Sequence, residues 1–108
     1  MFDSSILLRS LSDPTRWKIL EFLAAPVQSQ CRRDDGVCGC DLEAFLGLSQ
    51  PTVSHHMKRL VEAGVVRAAR EGRWVHYELD AEALRVLAGT FERFARAADA
   101  RAGEGVTA

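Results

Sequence analysis

The stretch from Leu42 to Leu79, LEAFLGLSQPTVSHHMKRLVEAGVVRAAREGRWVHYEL, decides how this chain folds. Leu42, Phe45 and Leu46 recur at helical spacing over barely two turns, and Gly47 can stop that helix. Ser49 or Gln50 can then cap a second helix with Pro51 in its first turn. Val53, Met57, Leu60 and Val61 form the apolar stripe of that helix, and Gly64 ends it. Two extended stretches follow, about Val65 to Arg70 and Trp74 to Leu79, joined through Glu71-Gly72-Arg73. In the second, Val75, Tyr77 and Leu79 alternate with His76 and Glu78, as a half-buried strand requires.

A short helix, a tight turn, a second helix and a two-stranded hairpin is the order of parts in a winged helix-turn-helix. Upstream, Phe2, Ile6, Leu7, Leu8 and Leu11 recur near every 3.6 residues, and Asp13-Pro14 opens another helix with Ile19, Leu20, Phe22 and Leu23 on one face. That helix should end near Ala25, because Pro26 disfavours helix in the residue before it. Pro26 to Gly39 reads as a long polar loop. Downstream, Ala81 to about Ala100 reads as a helix with Leu84, Leu87, Phe91, Phe94 and Ala98 spaced alternately by three and four residues. Such a seam wants a partner helix, so Leu84, Leu87, Phe91 and Phe94 are candidate dimer contacts; the other reading is a helix facing its own core. The predicted class is mainly α (α+β): one domain over residues 1–100, and a tail over 101–108 that frays.

Composition narrows the function. With 108 residues, 47% hydrophobic and 27% charged, the chain suits one compact domain burying about 65% of its unfolded surface, and general disorder is excluded. Only eight aromatic residues (five Phe, two Trp, one Tyr) argue for helices over a large β-sandwich. A net charge of -1 does not announce a nucleic-acid binder, so any such role must come from local placement. No stretch approaches the ~18 apolar residues of a membrane helix. The three cysteines, an odd number within ten residues, make a poor disulfide framework. The expectation is a cytoplasmic protein with no membrane partner.

Local placement is favourable between Ser49 and Leu79, where Lys58, Arg59, Arg67, Arg70 and Arg73 outnumber Glu62, Glu71 and Glu78. At 100° per residue, Thr52, Ser54, His55, Lys58 and Arg59 face away from the apolar stripe. Ser49, Gln50, Thr52, Ser54 and His55 lie at the end that enters a major groove and offer both donors and acceptors to base edges. Lys58 and Arg59 suit phosphates, and Arg70 and Arg73 bracket the hairpin tip, within reach of backbone or minor groove. An ordinary solvated face would use similar residues. His56 adjoins the stripe and reads as half-buried structure.

LSDPTRWKIL, LSQPTVSHHMKRLVEAGVV and REGRWVHYEL resemble the ArsR/SmtB family of metalloregulatory repressors, over about residues 5 to 95. The resemblance implies a homodimeric, metal-responsive winged-helix repressor that binds double-stranded operator DNA, with its first and last helices forming the dimer contact.

Cys31, Cys38 and Cys40 form a soft donor set, suited to thiophilic ions and not to Mg²⁺ or Ca²⁺. Structural zinc usually asks for four ligands, whereas trivalent arsenic or antimony bonds through three sulfurs with a lone pair in the fourth direction. In a helix, Cys38 and Cys40 would point apart; residues i and i+2 share a face only in extended backbone, so joint coordination demands non-helical backbone at or before Cys40. CGCDL resembles the family's CxCDL soft-metal motif, which implies Cys38 and Cys40 as ligands. Cys31 completes the set because no other cysteine exists. The zinc site that some relatives build on the last helix has no match, since no His follows Tyr77 and Ala81, Ala83, Phe94 and Ala97 stand at the expected positions. The expected inducer is As(III), with Sb(III), Cd(II) or Pb(II) as alternatives. A disulfide-based redox response and three small half-buried apolar residues are the other readings of the cysteines. A thiol enzyme is disfavoured because no Gly-rich loop precedes a helix, and a protein-interaction winged helix remains as the rival to a DNA binder.

Overall fold

Aspartates set the starts of the first two helices in the computed structural model, which describes residues 2–25 and 36–103. The Asp3 carboxylate accepts from the backbone N–H groups of Ser5 and Ile6 to open α1 (Ser4–Leu11). Asp13 does the same for Thr15 and Arg16, at 2.8 and 3.1 Å, to open α2 (Pro14–Ala24), with Pro14 at the first helical position as expected. The N–H of Arg16 holds the Asp13 carboxyl below its ordinary value of 3.8, ahead of the opposing effect of desolvation.

Two residues, Val37–Cys38, form β1, and α3 (Gly39–Leu46), α4 (Gln50–Ala63), β2 (Val66–Glu71), β3 (Trp74–Leu79) and α5 (Ala81–Gly103) complete the chain. Gly47 and Gly64 end α3 and α4 in the left-handed region, at φ 66° and 92°. One core holds these parts together. Val53, Met57 and Leu60 of α4 are buried against Leu7 and Leu11 of α1, Ile19 and Phe22 of α2 and Leu42 of α3. Val61, the fourth residue of the expected stripe, lies at its edge and stays 37% exposed. Phe45 is also exposed, but its ring stacks on Phe22 with centroids 4.4 Å apart and joins α3 to α2.

The structure corrects the sequence reading in three places. The sheet has three strands in the order β1-β3-β2, not two, because Val37 and Cys38 pair antiparallel with Tyr77 and His76 of β3. A two-residue strand is too short to show an alternation pattern, and it was absorbed into the polar loop. Next, α5 continues through Gly103, so residues 101–103 belong to the helix; residues 104–108 lie outside the described residues. Arg101 and Ala102 are good helix formers, and nothing before Gly103 stops the helix. Finally, within the single chain the α5 seam is unevenly buried, which leaves its reading as a dimer contact open to both halves. Leu87 is buried and Leu84 half-buried against the chain's own core, while Phe91 and Phe94 remain 47% and 57% exposed.

Asp13→Ala should cost about 1 kcal/mol at neutral pH by removing the α2 cap. Because the folded carboxyl titrates below its unfolded value, this stability is present above that value and lost as pH falls through the folded one. Urea unfolding of wild type and variant should therefore differ at pH 7 and converge in strong acid.

Candidate nucleic-acid interface and cysteine cleft

The first turns of α4 are open to solvent. Ser49, Gln50, Thr52, Ser54 and His55 are all exposed, as are Lys58 and Arg59 further along. Ser49 holds the N-cap position without a side-chain cap bond; its hydroxyl lies 3.0 Å from that of Thr52 instead. The leading N–H groups of α4 therefore keep no side-chain acceptor from Ser49, and a helix start of this kind attracts anionic oxygen. Gln50 Nε2 donates to Ser54 Oγ at 3.1 Å, which aligns two polar side chains one turn apart. Arg59 lies 3.5 Å from Glu62 in a pair more than half exposed on both sides, a weak bond that a phosphate can replace. His56 is half-buried, as expected, and its buried Nδ1 has no hydrogen-bond partner among the described residues.

The wing is braced at its base and basic at its tip. Arg67 bonds Glu78 at 3.0 Å and approaches Asp80 at 3.8 Å, so its charge is engaged across the strands. Arg70 and Arg73 are exposed on either side of the turn at Gly72, which has φ 64°. The Arg73 guanidinium stacks over the Trp74 ring at 5.3 Å.

Cys38 is both the end of β1 and the N-cap of α3, with extended backbone at φ -67° and ψ 143°. This is the non-helical residue that joint use of the two sulfurs requires. Cys40, in the first turn of α3, returns toward Cys38: its backbone N–H lies 3.4 Å from the Cys38 sulfur, and the two Sγ atoms are 2.8 Å apart as thiols. Cys31 lies outside the described residues. Among the described residues no group of three or more His, Cys, Asp or Glu side chains could hold a metal ion.

Sequence reasoning did not foresee what surrounds the two sulfurs. They open on a cleft of about 170 Å³ whose walls include Gln50 and Ser54 of α4 and Arg73 and Trp74 of the wing. Tyr77 closes another side, and burial pushes its hydroxyl above the ordinary value of 10.0, against an opposing effect of Arg70. The alternation in β3 puts Tyr77 with Val75 on one face, and both line the cleft beside Cys38, although the cross-strand partner of Cys38 itself is His76.

A family model described as "Bacterial regulatory protein, arsR family" matches residues 13–68, from the cap of α2 into β2. The chain belongs to the ArsR family. Among its relatives, the arsenical resistance operon repressor of Staphylococcus xylosus is 39% identical over 80 residues, which cover 74% of this chain and 68% of that protein. The ArsR-like transcriptional regulator from Rhodococcus sp. RHA1 has a similar structure, with a TM-score of 0.72, 28% identity and coverage of 94% of this chain and 87% of its own. The antimony-specific transcriptional repressor AntR is similar at a TM-score of 0.59 and 31% identity, over 88% of this chain and 79% of its own. Two further curated relatives are longer, and the chain spans 55% and 54% of their length. The ArsR family comprises regulators, not enzymes, and the fold agrees with the winged-helix expectation. No described helix is long and apolar enough to cross a membrane.

Tyr77 is the single tyrosine, so its titration can be followed directly by ultraviolet absorbance. The midpoint should lie above 10.0 in the folded protein and return to about 10 in urea. Since the folded value is the higher, the linked stability is intact below the unfolded value and declines as pH rises through the folded one.

Proposed function

We propose that this ArsR-family chain is a homodimeric repressor that grips operator DNA through α4 and the wing and releases it when trivalent arsenic, or antimony, is captured by Cys38, Cys40 and Cys31. The observation that carries this reading is the shared cleft: the Cys38 and Cys40 sulfurs face the same cavity as Gln50 and Ser54 of the reading helix and Arg73 and Trp74 of the wing. The donor set fits the ion, since thiol sulfur is soft and arsenous acid exchanges its hydroxyl groups for thiolates with loss of water. Similar proteins named as an arsenical resistance operon repressor, an antimony-specific transcriptional repressor and a cadmium resistance regulatory protein homolog support a thiophilic inducer, and the soft sulfurs would also suit lead.

In the DNA-bound form, Ser49, Gln50, Thr52, Ser54 and His55 address base edges, while Lys58, Arg59, Arg70 and Arg73 address the backbone. Two such heads must sit about 34 Å apart to read successive major grooves, which requires a dimer. Phe91 and Phe94 on α5, with rings edge to face at 6.3 Å, and Ile6 and Leu8 on α1 are large exposed apolar side chains on adjoining helices. Ser4 and Thr90 tie those helices together at 2.6 Å, and such a patch suits a second copy. Leu84 and Leu87 contribute by anchoring α5 to the core. Work on operator DNA would place the protein in the cytoplasm.

Release requires no large energy. A hundredfold loss of operator affinity is about 2.8 kcal/mol, within the 1–3 kcal/mol typical of allosteric coupling. Drawing a third sulfur to Cys38 and Cys40 reorders one wall of the cleft, and the residues on its other walls are those that hold the DNA. The ligand-bound shape must be the DNA-incompetent one by that margin, whatever the total affinity for the ion.

In gel-shift assays on the chain's own upstream region, arsenite should release reduced wild type, and Cys31→Ser, Cys38→Ser and Cys40→Ser should each stay bound. Normal release of Cys31→Ser would remove Cys31 from the ligand set, and no retardation in either state would favour a protein-interaction module instead. Ser54→Ala and His55→Ala should each weaken the operator complex by about 1–3 kcal/mol with the dimer intact by sedimentation.

A further inference from the structure

Apart from the cysteine cleft, and meeting the reading face at Arg59, a cavity of about 400 Å³ lies between α1, α2 and α4. Three guanidinium-bearing residues line it: Arg9 in the last turn of α1, Arg16 in the first turn of α2, and Arg59 of α4. Glu62 is the acid on its wall, already shared with Arg59 at 3.5 Å, which leaves an excess of two positive charges. Ser10 also lines it, but its hydroxyl donates to the Leu7 carbonyl at 2.7 Å and has no second proton to give. Arg16 Nε is buried and has no hydrogen-bond partner among the described residues. Gathering like charges and burying a donor without an acceptor are both unfavourable, and one occupant relieves both. That occupant is an oxyanion, because guanidinium forks match the paired oxygens of phosphate.

We propose that the α1–α2–α4 cavity is a phosphate-binding site, with Arg9, Arg16 and Arg59 as its donors. The excess of two positive charges suits a phosphate group, which carries one negative charge as a backbone diester and nearly two as a soluble monoester at neutral pH. The phosphate comes either from a small soluble compound or from the DNA backbone, since Arg59 also stands on the outer side of α4. The soluble source does not depend on the repressor reading, so it can hold or fail separately.

The test compares full-length wild type, Arg9→Gln and Arg16→Gln in two arms. Thermal unfolding with inorganic phosphate against chloride at equal ionic strength should show a saturable rise in midpoint for wild type that is lost in both variants. Binding to a random-sequence duplex across a salt series reads the backbone source: each variant should lower the slope of log affinity against log salt by about 0.9. A phosphate response lost in the variants supports a soluble ligand, and a reduced slope without that response supports the backbone. An equal response in all three proteins, or no change in either arm, overturns the site. Should Arg16→Gln fail to fold, Arg9→Gln decides, because Arg9 is exposed and makes no ion pair among the described residues.

Discussion

Antiparallel pairing of Val37 and Cys38 with Tyr77 and His76 is the constraint on which the cysteine site depends. It holds Cys38 in extended backbone up to the first residue of α3, so the chain turns helical immediately after that sulfur. Were the helix to begin two residues earlier, the Cys38 and Cys40 side chains would diverge around its axis. The same pairing fastens the start of α3 to the central strand of the wing. Cys38 is therefore joined to β3 through backbone hydrogen bonds and not through a flexible tether.

The reading helix is held from the opposite side. Val53, Met57 and Leu60 are nearly inaccessible and interlock with α1, α2 and α3 in the single core, so α4 has no independent freedom to tilt. Its first turns, which border the cysteine cleft, project beyond this packing. A rigid body whose exposed end borders the cysteine cleft suits switching between two discrete arrangements. The Arg67 bonds to Glu78 and Asp80 stiffen the base of the wing in the same way, leaving its tip at Gly72 to carry the exposed Arg70 and Arg73.

Charge is organised locally, which a net of -1 conceals. Basic side chains collect on the outer side of α4, at the wing tip and around the cavity between α1, α2 and α4, while surface pairs such as Arg59 with Glu62 are exposed and weak. Weak pairs keep the surface neutral overall without committing the arginines. An incoming phosphate can take them over at little cost.

Much of this was legible in the sequence where the signal is local. Asp13-Pro14 announces α2, the glycines at 47 and 64 close α3 and α4, and the spacing of Val53, Met57 and Leu60 assigns the buried face of α4, since cap, turn and periodicity are all properties of neighbouring residues. The CGC string, if its two sulfurs act together, calls for non-helical backbone at or before Cys40, for the same reason. Tertiary structure decided what depends on distant partners. β1 is defined by its pairing with the outer edge of β3, and α5 divides into a buried half at Leu84 and Leu87 and an exposed half at Phe91 and Phe94 because the core ends there. The cleft likewise draws its walls from Cys38, Gln50 and Trp74, far apart in the chain, and no local periodicity encodes which surfaces meet when a sheet and two helices close around one core.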